Sequence, residues 1–166
     1  MKKVKDRLEE MHVDIAKQCF YMIPGDVDVS ELIVQCEVVN EKLFNVGFNF
    51  KETGSGVWIY SYEITKWYDF PQNIYDQLRL ELGEKFYKLY HFFKENQLPL
   101  WEGFELKIVG EGKYKGYEPC YRFSDDELYY ATKGLIAAYL ADDEEQLKRG
   151  MEVVDDYFLK NGHVVH

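Results

Sequence analysis

The chain has 166 residues, with 30 acidic and 20 basic side chains and a formal net charge of −10 at neutral pH. That balance argues against direct binding to nucleic acid or to an anionic membrane surface, since both need a positive footprint. Cys19, Cys36 and Cys120 are widely spaced and form no C-x-x-C pair, which argues against a disulfide framework or a zinc site and fits reduced thiols in the cytoplasm.

Val4, Leu8, Met11, Ile15 and Cys19 recur at steps of three and four, so residues 3–21 are predicted to form an amphipathic helix, broken by Pro24-Gly25. From Glu31 the period becomes two. Leu32, Val34, Cys36 and Val38 alternate with more polar neighbours, which predicts a strand with one apolar face. Asn40-Glu41-Lys42 makes a short turn, and Phe44, Val46, Phe48 and Phe50 give a second, half-buried strand. Gly54 and Gly56 mark a hairpin connection into a third strand over residues 57–64, with Trp58, Tyr60, Tyr62 and Ile64 on one side. Short links require these three strands to be antiparallel.

Pro71 suits the start of a long helix over residues 71–97, with Tyr75, Leu78, Leu82, Phe86, Leu89 and Phe93 on one face and Pro99 beyond its end. At about 1.5 Å per residue it is roughly 40 Å long, wider than a small domain, so one end is expected to project. Phe104, Leu106 and Ile108 define a fourth strand, Gly110-Glu111-Gly112 turns the chain, and residues 113–123 return as a fifth, bent near Gly116 and Pro119. Ser124-Asp125-Asp126-Glu127 has the capping-box pattern of a helix start, and Asp142-Asp143-Glu144-Glu145 opens another helix with Leu147, Met151, Val154 and Phe158 on its apolar face. The fold class is therefore α+β: an antiparallel sheet of about five strands with an N-terminal helix, a long central helix and two C-terminal helices, in a single domain over residues 1–166.

Catalytic and cofactor signatures are lacking in the sequence. His12, His91, His163 and His166 show no metal-ligand spacing, the glycine clusters lie between strands rather than before a helix, and no G-x-S-x-G is present. Cys19 and Cys36 fall on core faces and read as small buried hydrophobes. Paired carboxylates at helix starts are explained in part by the helix dipole. Yet residues 118–166 carry 11 acidic and 5 basic side chains, more than half of the net negative charge. An unneutralised excess of that size suits a basic partner.

The order of helix, three-strand meander with I-Y-S-Y-E-I at residues 59–64, long helix beginning near Phe70-Pro71, and then P-L-W-E-G-F-E-L at residues 99–106 resembles the YezG-like family of bacterial immunity proteins. The matching stretch covers residues 1–123, an immunity-like core, with residues 124–166 as an added helical pair. The resemblance implies a non-enzymatic antitoxin without cofactors. It would bind, in the producer's cytoplasm, a toxin of a polymorphic system whose C-terminal domain is often a nuclease. A basic nuclease cleft would attract an acidic inhibitor. Glu118, Asp125, Asp126, Asp142, Asp143, Glu144 and Glu145 are the candidates for the acidic field, with Tyr117, Tyr121 and Tyr129 as anchors. Two alternatives stand beside this: a ligand-binding or enzymatic domain with a pocket walled by Trp58, Tyr60 and Tyr62, and an adaptor that pairs with itself through a sheet edge.

Overall fold

The computed structural model describes residues 3–109, 118–123 and 143–160. The first apolar stripe forms helix α1 (Val4–Tyr21), which buries Leu8, Ile15 and Cys19. Two long strands follow, β1 (Val29–Asn40) and β2 (Leu43–Glu52). The turn between them is closed by Asn40, whose Oδ1 accepts hydrogen bonds from the amides of Lys42 and Leu43 at 2.9 and 3.0 Å. A short asparagine side chain thereby stands in for a backbone acceptor.

Strand β3 (Trp58–Tyr60) has only three residues. The predicted strand over residues 57–64 stops early because Ser61–Glu63 forms a 3-10 turn that leads into helix α2 (Ile64–Trp67). Ser61 explains the change. Its Oγ accepts the Phe48 amide at 3.2 Å, taking the place that a continuing strand's carbonyl would have filled. The chain then curls so that Ile64 is fully buried while Tyr62 stays exposed, and the expected row of four side chains is divided.

Helix α3 (Gln72–Glu95) begins directly after Pro71 and buries Tyr75, Leu82, Phe86, Leu89 and Phe93 as the spacing requires, with Tyr90 in addition. Neither end projects as its length suggested, because Tyr75 in the first turn and Phe93 near the last are both buried. Strands β4 (Gly103–Val109) and β5 (Glu118–Arg122) complete a five-stranded antiparallel sheet of order β3-β2-β1-β4-β5. Pro119 is tolerated because β5 is an edge strand. Helix α4 (Glu144–Lys160) brings Met151 against the core. The predicted helix opening at Ser124, the turn at Gly110 and the first part of the predicted fifth strand lie outside the described residues.

One face of the sheet presents Leu32, Val34, Cys36, Phe48, Phe50, Phe104, Leu106 and Ile108 to the core shared with α1 and α3. The opposite face carries exposed Gln35, Glu37, Glu105, Lys107 and Arg122. Arg122 reaches across β4 to an ion pair with Glu37 on β1. Gly103 lies between them in register, and a Cβ there would come within 2.6 Å of the guanidinium. A larger residue there would oblige the Arg122 guanidinium to move.

Aromatic rings fill the space between helices and sheet. Trp101, which is 1% exposed, has Phe44, Tyr90, Phe93, Phe104 and Tyr121 around it at centroid distances of 5.5–6.4 Å. His12 of α1 joins this cluster, stacking on Phe104 at 5.6 Å and sharing a hydrogen bond with the Tyr121 hydroxyl. Burial without a counter-charge pushes its pKa from 6.5 down to about 3, so the folded chain holds it neutral. The unfolded chain takes up a proton between those values that the folded chain refuses. Stability from this group is therefore complete above about pH 6.5 and declines as pH falls toward 3, by up to about 1.4 kcal/mol per pH unit. Denaturant titrations of the wild type and of His12→Phe will show this: their stability difference should be flat above pH 7 and shift in favour of the variant between pH 6 and 4.

Candidate partner-binding surface

The segment that replaces the end of the expected third strand places its large rings on the outside. Trp58 and Tyr60 stand on the edge strand, and Tyr62 and Trp67, 62% and 70% exposed, follow in the turns behind it. Tyr60 and Tyr62 stack with centroids 5.5 Å apart and planes 10° from parallel. Trp67 Nε1 donates to Glu63 Oε2 at 3.2 Å, and the neighbouring Tyr68 hydroxyl donates to Glu52 Oε2 at 2.8 Å, tying α2 to the end of β2. Burial and this carboxylate raise the Tyr68 phenol to about 12, so it remains a donor at physiological pH. Exposed tryptophan and tyrosine held in place by such bonds offer large contact area at little entropic cost, the composition of interface hot spots. The ligand-binding alternative made Trp58, Tyr60 and Tyr62 a pocket wall. They face outward instead, because the space beneath the helices is filled by the aromatic core.

Four of the seven acidic candidates, Glu118, Asp143, Glu144 and Glu145, are described. Glu118 is exposed at the start of β5 and stands opposite Lys107 in register, an opposite-charge cross-strand pair. Asp143, Glu144 and Glu145 are exposed at the start of α4. Asp143 caps that helix, accepting the Gln146 amide at 3.1 Å, and Glu145 pairs with Arg149 one turn on at 2.7 Å. Part of this acidity therefore serves the helix itself. Tyr121, expected as an anchor, is 4% exposed and belongs to the core, where its hydroxyl meets His12. Asp125, Asp126, Asp142, Tyr117 and Tyr129 lie outside the described residues.

A groove of about 650 Å³ runs between β2 and α3, lined by residues 42–46 together with Asp76, Arg79, Leu80, Gly83, Glu84 and Tyr87. Its charged side chains are two basic and two acidic. Beside it, Lys94 bonds Glu41 at 2.8 Å, which holds the carboxyl below its ordinary range, and His91 Nε2 donates to the Glu41 carbonyl at 3.1 Å. Among the described residues there is no cluster of three potential metal ligands. Burial raises the thiols of Cys19 and Cys36 far above the range in which a thiolate forms, so they act as core residues. No described helix is long and apolar enough to cross a membrane.

Residues 8–144 match the family model described as Immunity protein YezG-like. The matched stretch contains all five strands and α3, and ends where α4 begins. The chain is 26% identical over 108 residues, 65% of its length, to an immunity protein, YezG, of Bacillus spizizenii. It is 27% identical over 111 residues, 67% of its length, to a type VII secretion system protein, EsaG, of Staphylococcus aureus. It spans about two thirds of those curated relatives, 65% and 66% of their lengths.

The capping role of Asp143 separates its structural from its electrostatic contribution. Asp143→Ala should lower stability by about 1 kcal/mol, read by chemical denaturation, whereas Glu144→Gln should stay within about 0.5 kcal/mol of wild type.

Proposed function

Because the chain belongs to the YezG-like family of immunity proteins, we propose that it binds a cognate bacterial toxin in the cytoplasm of the producing cell and neutralises it by covering its working surface. The family match over residues 8–144 carries this reading. Exposed Trp58, Tyr60, Tyr62 and Trp67 support it as contact residues. The toxin we propose is a nuclease domain with a basic cleft. The net charge of −10 speeds the encounter with such a cleft and repels the nucleic acid that competes for it. No residue of the inhibitor needs to act as a catalyst, since occlusion alone abolishes turnover.

The acidic field is assigned to Glu118, Asp125, Asp126, Asp142, Asp143, Glu144 and Glu145, with Tyr117 and Tyr129 as candidate anchors. In this arrangement the carboxylates act mainly on association rate, and the aromatic contacts set how long the complex lasts.

Co-expression with the toxin encoded by the neighbouring gene should yield a complex that survives size exclusion. Its association rate should fall severalfold as salt rises from 50 to 500 mM, on the order expected for a steered pair. Replacing Asp142, Asp143, Glu144 and Glu145 by their amides keeps a capping side chain at position 143. That variant should slow association severalfold while leaving dissociation little changed; an unaltered rate would remove the acidic segment from the mechanism.

A further inference from the structure

Strand β2 has ten residues but its outer neighbour β3 has three, and only Asn49, Phe50 and Lys51 of β2 are paired with it. Among the described residues, 43–47 therefore have β1 on one side and no strand on the other. The direction of their backbone groups follows from the hydrogen bonds just beyond. The Glu52 amide donates to the Val57 carbonyl and the Phe48 amide to Ser61 Oγ, both toward the outer side. Alternation along a strand then sends the N–H and C=O of Val46 and Phe44 outward as well. Neither residue has a backbone hydrogen bond on that side among the described residues. The result is an open edge of five residues, roughly 17 Å long.

The groove lies along this edge. None of its lining residues comes from β1, which places it on the outer side of β2, beneath the overhang of α3. Leu43, Leu80 and Tyr87 line it and are exposed. Gly83 sits mid-helix facing it, and a Cβ at that position would meet nothing within 4 Å. Alanine there would favour the helix by about 0.5–1 kcal/mol and would fit sterically, so the glycine keeps the groove wide at a small cost in stability.

We infer that the edge of β2 at residues 43–47 is a docking site for an extended segment of the cognate toxin, which adds to the sheet as a further strand and seats alternate side chains in the groove under α3. This rests on the immunity reading above and specifies how the partner is held. Main-chain pairing with Phe44 and Val46 supplies affinity, and the apolar wall of Leu80 and Tyr87 around Gly83 selects small or apolar residues at every second position. The groove's charges, Lys42 and Arg79 against Asp76 and Glu84, have no net sign. The segment that fits it is therefore near neutral, unlike the basic cleft attracted by the rest of the chain. Charge also disfavours a second copy of this chain as occupant, because each copy carries −10. A five-residue edge is well short of the roughly 1,200–2,000 Å² of a stable interface. A toxin can supply the remainder against Tyr62 and Trp67, which follow directly on the strand that bounds the open edge.

The test compares wild type, Val46→Pro, Gly83→Leu and Lys107→Ala for binding to the purified cognate toxin domain, with circular dichroism and denaturation midpoints as fold controls. Val46→Pro deletes an outward N–H that the fold does not use, a position where an edge strand tolerates proline. Gly83→Leu fills the groove from a helix that gains propensity, so it remains informative if the proline variant misfolds. Both should weaken binding at least ~10-fold, whereas Lys107→Ala on the opposite sheet face should stay within about threefold of wild type. Wild-type binding with both folded variants unaffected would overturn the docking site and leave the immunity reading standing. No binding by wild type would overturn both. Sedimentation of the free chain completes the test: a wild-type dimer that Val46→Pro dissociates would assign the edge to a second copy and overturn the toxin segment as occupant.

Discussion

The position of α3 on the sheet depends on the packing of aromatic rings beneath it. Phe86, Tyr90 and Phe93 on the helix meet Phe104 and Tyr121 on the two strands beyond β1, with Trp101 wedged among them and Phe44 of β2 touching Tyr90 and Trp101. Interdigitated rings at such distances leave a helix little freedom to slide or roll, since any shift opens gaps that cost dispersion contacts. His12 ties α1 into the same cluster as a neutral ring. Because α3 is fixed at these points, its flank carrying Arg79, Gly83 and Tyr87 is fixed as well, and that flank lines the groove beside β2.

The sheet is therefore asymmetric in what it offers. Its core face is sealed by helices and its other face carries paired charges such as Arg122 and Glu37, which are compatible with water. The two ends of the strand order differ more. At one end β5 carries Pro119, which removes a donor. At the other, β3 stops after three residues and leaves part of β2 without a second strand among the described residues, beside a groove lined by both apolar and charged side chains, with exposed tyrosine and tryptophan next to it. An open edge of this kind is an aggregation hazard in most proteins. Here a net charge of −10 opposes self-association.

The order of the described elements was legible in the sequence because period-two and period-3.6 patterns were well separated. The alternation from Phe44 to Phe50 and from Phe104 to Ile108 and the stripe from Tyr75 to Phe93 correspond to observed strands and helix, and the buried faces agree. The third strand failed for a local reason. Tyr60, Tyr62 and Ile64 alternate in sequence, but Ser61 bonds β2 with its side chain and turns the chain, an effect no periodicity carries. The burial of Tyr121 was likewise invisible, since it is enclosed only by elements far away in the chain; His12 falls on the stripe of Leu8, Ile15 and Cys19, but a histidine at that spacing gives no sign by itself of a buried neutral ring. The open edge of β2 depends on where its neighbour ends, which is a tertiary fact. Chain order could place the carboxylates near α4 but could not show that Asp143 and Glu145 are engaged within the helix. The similarity to immunity proteins, in contrast, was carried by the order of elements and by aromatic anchors such as Trp101 and Phe104, both of which belong to the core.

If the chain neutralises its partner by direct binding through the side of the sheet bounded by β3, backbone amides should report it without any substitution. Hydrogen exchange of the chain, alone and with saturating cognate toxin domain, measures this residue by residue. The account predicts rapid exchange at Phe44 and Val46 in the free chain, and protection in the complex over residues 43–47 and around the aromatic turn at residues 58–67. Protection confined to the opposite sheet face, with those amides still exchanging freely, would contradict it.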